Sequence, residues 1–161
     1  MKLEETERLY EKFSAAYPDR EDLLDAVTDA TLDALRVPRK LLGYRYLFLA
    51  VRYILSGSDD PHPGMLAKVY PYVARCMGTS RVMAERAMHY AIGCAWKRAD
   101  PEVLVSYLGL RGADRSDPPT NVEFIYLVAE RVRLIAGDPA GEERLLRMIA
   151  EAERRFAALS D

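Results

Sequence analysis

Arg81, Glu85, Arg86, His89, Tyr90 and Lys97 recur at steps of three or four residues, so a helix through this stretch would set them, with Gly93, on one outward face. The complementary positions Ala84, Ala87, Met88, Ala91, Ile92, Ala95 and Trp96 make a buried stripe. A guanidinium donates paired hydrogen bonds to planar acceptors, a carboxylate accepts from amino groups, and an ammonium attracts phosphate. The chemistry open to such a face is therefore recognition and charge attraction. No nucleophile with a recognisable base accompanies it, and neither a phosphate-cradling glycine loop, Gly-x-Ser-x-Gly nor His-Glu-x-x-His occurs in the chain.

The elements that must position this face lie just before it. Met65 to Cys76 carries apolar residues at 65, 66, 69, 73 and 76, which predicts a supporting helix, and Gly78-Thr79-Ser80 supplies a short turn. Two helices joined by such a turn form a helix-turn-helix unit, whose second helix fits the DNA major groove. Many helical bundles contain the same pair without touching DNA. Charge favours a polyanion locally: residues 37–98 hold ten basic and three acidic side chains, while residues 1–36 hold five and ten, and residues 99–161 eight and twelve. A basic face attracts phosphate even on a chain of net charge -2. For any single arginine, a solvated helix surface is the simpler reading.

The 161 residues suit one domain, 50% hydrophobic and 30% charged, as expected of a globular protein. No apolar run approaches the roughly 20 residues of a membrane-spanning helix. The start, Met1-Lys2-Leu3-Glu4-Glu5, lacks a secretory pattern, so a cytoplasmic location and no membrane partner are expected. Cys76 and Cys94 are expected to be buried as small apolar residues. With His62 and His89 the only histidines, no metal site is expected, nor any cofactor, and the chain reads as a non-enzyme.

In order along the chain, periodicity predicts helices from about Leu3 to Ala16 and from Arg20 to Leu35, the second capped by Asp19 and carrying Leu23, Leu24, Val27, Thr31, Leu32 and Leu35 inward. A third runs from about Pro38 or Leu41 to Leu55, with Tyr44, Leu47, Phe48, Val51, Ile54 and Leu55 as core and Lys40, Arg45 and Arg52 at the surface. Asp59 to Gly64 is a turn-rich connection in which His62 is incidental. A short helix is expected from Pro101 to about Leu108, then a loop from Arg111 to Pro119. Thr120-Asn121-Val122-Glu123 forms a capping box opening a helix that carries Phe124, Ile125, Val128, Val132 and Ile135 inward. Gly141 to Ala158 has a final apolar stripe, to be docked on the body or used for dimerisation.

Leu35-Arg36-Val37-Pro38, Gly43-Tyr44-Arg45-Tyr46-Leu47, Val69-Tyr70-Pro71, Thr79 with Glu85-Arg86-Ala87, Ala91-Ile92, Ala95-Trp96-Lys97-Arg98 and Pro119-Thr120-Asn121-Val122-Glu123-Phe124-Ile125 occur in that order. Together they resemble the C-terminal DNA-binding effector domain of the sporulation initiation master response regulator, the stage zero sporulation protein A family, over roughly residues 24 to 137. That family joins its effector to a phosphorylated receiver, and the preceding segment here is too short and too helical for one. The family's Tyr-Pro pair matches Tyr70-Pro71, so a kink or a restart is expected inside the supporting helix.

The resemblance implies that Glu85 and Arg86 read base edges, with Met83, His89 and Tyr90 at the remaining reading positions. It further implies phosphate contacts from Lys40, Thr79, Ser80, Arg81, Lys97 and Arg98. The chain departs from the family at several of these places. Met83 stands where the family has arginine, and His89-Tyr90 where it has Arg-His. Leu42, Cys76, Ser116 and Asp117 replace basic residues, so the preferred site should differ from the family's.

The expectation is an all-α, compact helical bundle containing a helix-turn-helix, with extra N- and C-terminal helices. Residues 1–161 form one domain: 1–36 an N-terminal helical extension, 37–137 the effector-like core, 139–160 a C-terminal helix. Its function would be sequence-specific binding of double-stranded DNA as a transcriptional regulator, without its own phosphoacceptor domain. The alternative is a helical protein-interaction module derived from that domain, with a homodimer or protein partner in place of DNA.

Overall fold

A computed structural model describes residues 3–56, 63–100, 102–104 and 118–137, together with residues 150 and 154. Its described elements are all helical: α1 (Leu3–Ala16), α2 (Arg20–Ala34), α3 (Leu42–Ser56), α4 (Pro63–Met77), α5 (Arg81–Arg98) and α6 (Asn121–Ile135). α3 lies at the centre, packed against α2, α4, α5 and α6, while α1 rests on α2 and α6. The all-α bundle with an internal helix-turn-helix is thus the observed architecture.

Local signals set most of the helix ends. The Asp19 carboxylate accepts from the Asp22 N–H at 3.1 Å and opens α2. At the other end Val37 N–H reaches the Leu32 carbonyl and Arg36 N–H the Asp33 carbonyl, the paired bonds of a Schellman motif. The residue that must take the left-handed conformation there is Arg36, at φ 67°, rather than a glycine. α3 begins later than either predicted start: residues 38–41 make a turn closed by the Leu41 N–H on the Pro38 carbonyl at 3.2 Å.

The core joins Val27, Leu32 and Leu35 of α2 to Leu47, Val51 and Ile54 of α3, Val69 and Val73 of α4, the inner stripe of α5, and Phe124, Ile125, Val128 and Val132 of α6. α2 therefore contributes fully to the shared core. Phe48 and Leu55 are only half-buried, and Tyr46 and Ala50 take fully interior places beside them. α6 is buried around nearly its whole circumference, charged residues included. Inside it Arg133 donates to Glu130 Oε1 at 2.8 Å and to the Ile54 carbonyl at 3.2 Å, tying α6 to the end of α3. A charge so deeply buried is tolerated because its donors are used.

Of the kink or restart expected at Pro71, the restart does not occur: α4 runs without a break from Pro63 to Met77 with Pro71 inside it. One expectation is corrected. Cys76 is exposed rather than buried, at the C-terminal end of α4 and the edge of its inner face, which runs through Val69, Tyr70, Val73 and Ala74; Cys94 is half-buried, and neither forms a disulfide. His62, Arg111 to Asp117, the short helix beyond Leu104, and the C-terminal segment 139–160 apart from residues 150 and 154 lie outside the described residues. No described helix is long and apolar enough to cross a membrane.

Candidate nucleic-acid interface

The turn between α4 and α5 is built from three residues with separate tasks. Gly78 adopts φ 62°, where a side chain would be strained, and lets the Thr79 N–H return to the Ala74 carbonyl at 3.0 Å. Ser80 then caps α5 by accepting from the Met83 N–H at 3.1 Å. Its hydroxyl proton stays available to a phosphate oxygen.

Three contacts hold α5 in place. Its inner stripe of Ala84, Met88, Ala91, Ile92, Ala95 and Trp96 is buried, and the small alanines let α3 approach at Gly43. Asn121, the first residue of α6, donates its side-chain amide to the Glu85 carbonyl at 3.0 Å, bridging α6 to the N-terminal half of α5. Tyr70 of α4 sits at the same joint: burial pushes its phenol up, a hydrogen bond with Asn121 opposes that, and the charges of Glu85 and Arg81 act on it in opposite senses. Sequence reasoning treated Asn121 only as part of a capping box. Half of the box forms: Thr120 Oγ1 accepts from the Glu123 N–H at 3.2 Å, but the Glu123 carboxylate accepts from the Thr120 hydroxyl at 3.1 Å rather than from its backbone N–H.

The outer face of α5 is open to solvent. Arg81, Met83, Glu85, Arg86, His89, Tyr90, Lys97 and Arg98 are all exposed. Among the described residues none of Arg81, Arg86, Lys97 and Arg98 makes an ion pair. Of the acidic side chains of α2, Asp29 and Asp33 hold Arg39 and Asp25 faces Arg52, while Asp33 also lines a pocket together with Arg98. Thr79 is half-buried, its N–H already used in the turn. Lys40 is exposed in the turn before α3, three residues ahead of Gly43, which itself packs on Ala87 and Ala91 of α5.

The 18 residues of α5 make a rod about 27 Å long, against a major groove about 12 Å wide. Met83, Glu85, Arg86, His89 and Tyr90 fall in its first and middle turns. Lys97 and Arg98, with their charge at the negative end of the helix dipole, sit about 24 Å from Arg81 and cannot address the same base pair. The arrangement is a central stretch of mixed hydrogen-bonding and apolar groups flanked by cations at both ends.

One outward residue was missed. Val82 is 54% exposed, beside Met83 at 56%, with Tyr90 at 64% two turns on. The buried positions 84, 88, 91 and 95 already imply that 82 faces out, so periodicity held the signal. The Tyr90 phenol is pushed up by a hydrogen bond with the Cys94 thiol.

A family model described as "Sporulation initiation factor Spo0A C terminal" matches residues 28–132, spanning the interior of α2 through nearly all of α6 and including the whole helix-turn-helix. The chain belongs to this family, the DNA-binding effector part of a regulator of sporulation.

Proposed function

We propose that this chain binds duplex DNA sequence-specifically and regulates transcription through that binding, with α5 lying in the major groove. The observation that carries the reading is the free outer face of α5, where Arg81, Arg86, Lys97 and Arg98 are exposed and engaged in no ion pair among the described residues. Phosphate contacts from Lys40, Thr79, Ser80, Arg81, Lys97 and Arg98, together with the unpaired N–H groups at the start of α5, would set orientation and supply affinity. Arg86 would donate a bidentate pair to guanine, and Glu85 would accept from a cytosine amino group. Met83, His89 and Tyr90 occupy the rest of the groove-facing surface.

Selection from random duplex DNA, followed by titration over salt, tests this. A reader of sequence yields an enriched motif, and log affinity falls against log salt with a slope of about 0.9 per neutralised phosphate. No enrichment and no retardation at low salt would leave α5 as a surface for a protein partner instead.

A further inference from the structure

Val82 and Met83 occupy the first turn of α5 and Tyr90 the middle of the same face, all more than half exposed. Scattered apolar residues on a protein surface are ordinary. Here three of them share the solvent-facing side of α5, on either side of Arg86. Exposed, unpaired cations at both ends of the helix make that face complementary to a polyanion. Among base edges in the major groove, only thymine offers an apolar group, its 5-methyl. The N-terminal turn of a helix in the groove is the part that meets base edges.

We infer that Val82 and Met83 read thymine 5-methyl groups, so that the preferred DNA site places thymine next to the guanine addressed by Arg86. This rests on the DNA-reading function proposed above and names the chemistry that gives it sequence choice. At Met83, which has no hydrogen-bond donor to offer a base, selectivity would rest on burial of a methyl group. Tyr90 extends the apolar strip along the groove.

The test uses the full chain and its selected duplex, with each thymine replaced singly by uracil. Uracil keeps the pairing and the O4 acceptor and loses only the methyl. Burial of one methyl predicts a loss of about fourfold in affinity at one or two positions and none elsewhere. Val82→Ala with Met83→Ala should bind the thymine duplex more weakly and lose the distinction between thymine and uracil. Both positions are exposed, so the double variant should keep the wild-type melting temperature, checked in parallel. Met83→Leu should retain the distinction. An enriched motif bound equally well with uracil at every position would overturn methyl reading and leave DNA reading intact. Failure to retain any duplex would overturn both.

Discussion

Gly43 of α3 faces the backbone of Ala87 in α5 so closely that a methyl group on it would lie 2.2 Å from the Ala87 carbonyl oxygen and 2.6 Å from the Ala91 Cβ. The obstacle is backbone, which cannot rotate away. Replacing an interior helical glycine with alanine ordinarily stabilises by up to about 1 kcal/mol. At this position the sign should reverse: Gly43→Ala is expected to lose about 1 to 3 kcal/mol by overpacking, measured by urea denaturation. DNA affinity should fall with it, because the same contact sets the seat of α5.

Asn121 makes a second prediction about that seat. Its amide supplies the bond to the Glu85 carbonyl, and the residue is buried, so it cannot itself contact a ligand. Asn121→Ala should cost about 1 to 2 kcal/mol in denaturation. Asn121→Asp should cost more, since a carboxylate would face the carbonyl oxygen. Unchanged stability in both variants would show that the bridge holds nothing.

Arg36 closes α2 at φ 67°, a conformation that costs a residue with a side chain roughly 1 to 2 kcal/mol and glycine far less. Arg36→Gly is therefore expected to stabilise the protein by about 1 kcal/mol, less whatever the freer unfolded chain takes back. A raised denaturation midpoint with unchanged slope is the readout.

Asp25 should make stability depend on pH. Burial raises its carboxyl above the ordinary 3.8, Arg52 opposes the rise, and Asp22 and Glu21 add to it. A native carboxyl above its unfolded value holds its proton more tightly when folded, so stability falls as pH climbs through the window between the two values. Asp25→Asn is expected to raise the melting temperature at pH 7, and the difference should vanish on acidification below that ordinary value. Equal melting temperatures at pH 7 would refute the prediction.

The cations on α5 should separate by role. Arg86→Ala is expected to weaken binding to the selected site by about 1 to 3 kcal/mol and to relax preference at one base pair. Arg98→Ala should weaken all duplexes alike and reduce the salt slope by about 0.9. Swapped outcomes in the affinity titrations would place Arg86 on phosphate.

What the chain determined by itself is local. The three-or-four periodicity named the inner stripe of α5, and all but half-buried Ala87 of it is buried. Asp19 and Thr120 signalled helix starts because a cap acts within three residues of its own position, whereas Ser80, read only as part of the turn, also caps α5. Gly78 marked the helix-turn-helix turn for the same reason. The family resemblance was legible as well, since its motifs are short and ordered.

Tertiary structure decided which helix meets which, and so how the candidate site is held. Periodicity says that a face is buried but never against what. The approach of Gly43 to Ala87, the bond from Asn121 to Glu85, and the bond from Arg133 to the Ile54 carbonyl each join residues that no sequence window brings together. The freedom of the α5 face is also a tertiary fact: Asp29 and Asp33 pair with Arg39 and Asp25 with Arg52, and none of Arg81, Arg86, Lys97 and Arg98 makes an ion pair among the described residues.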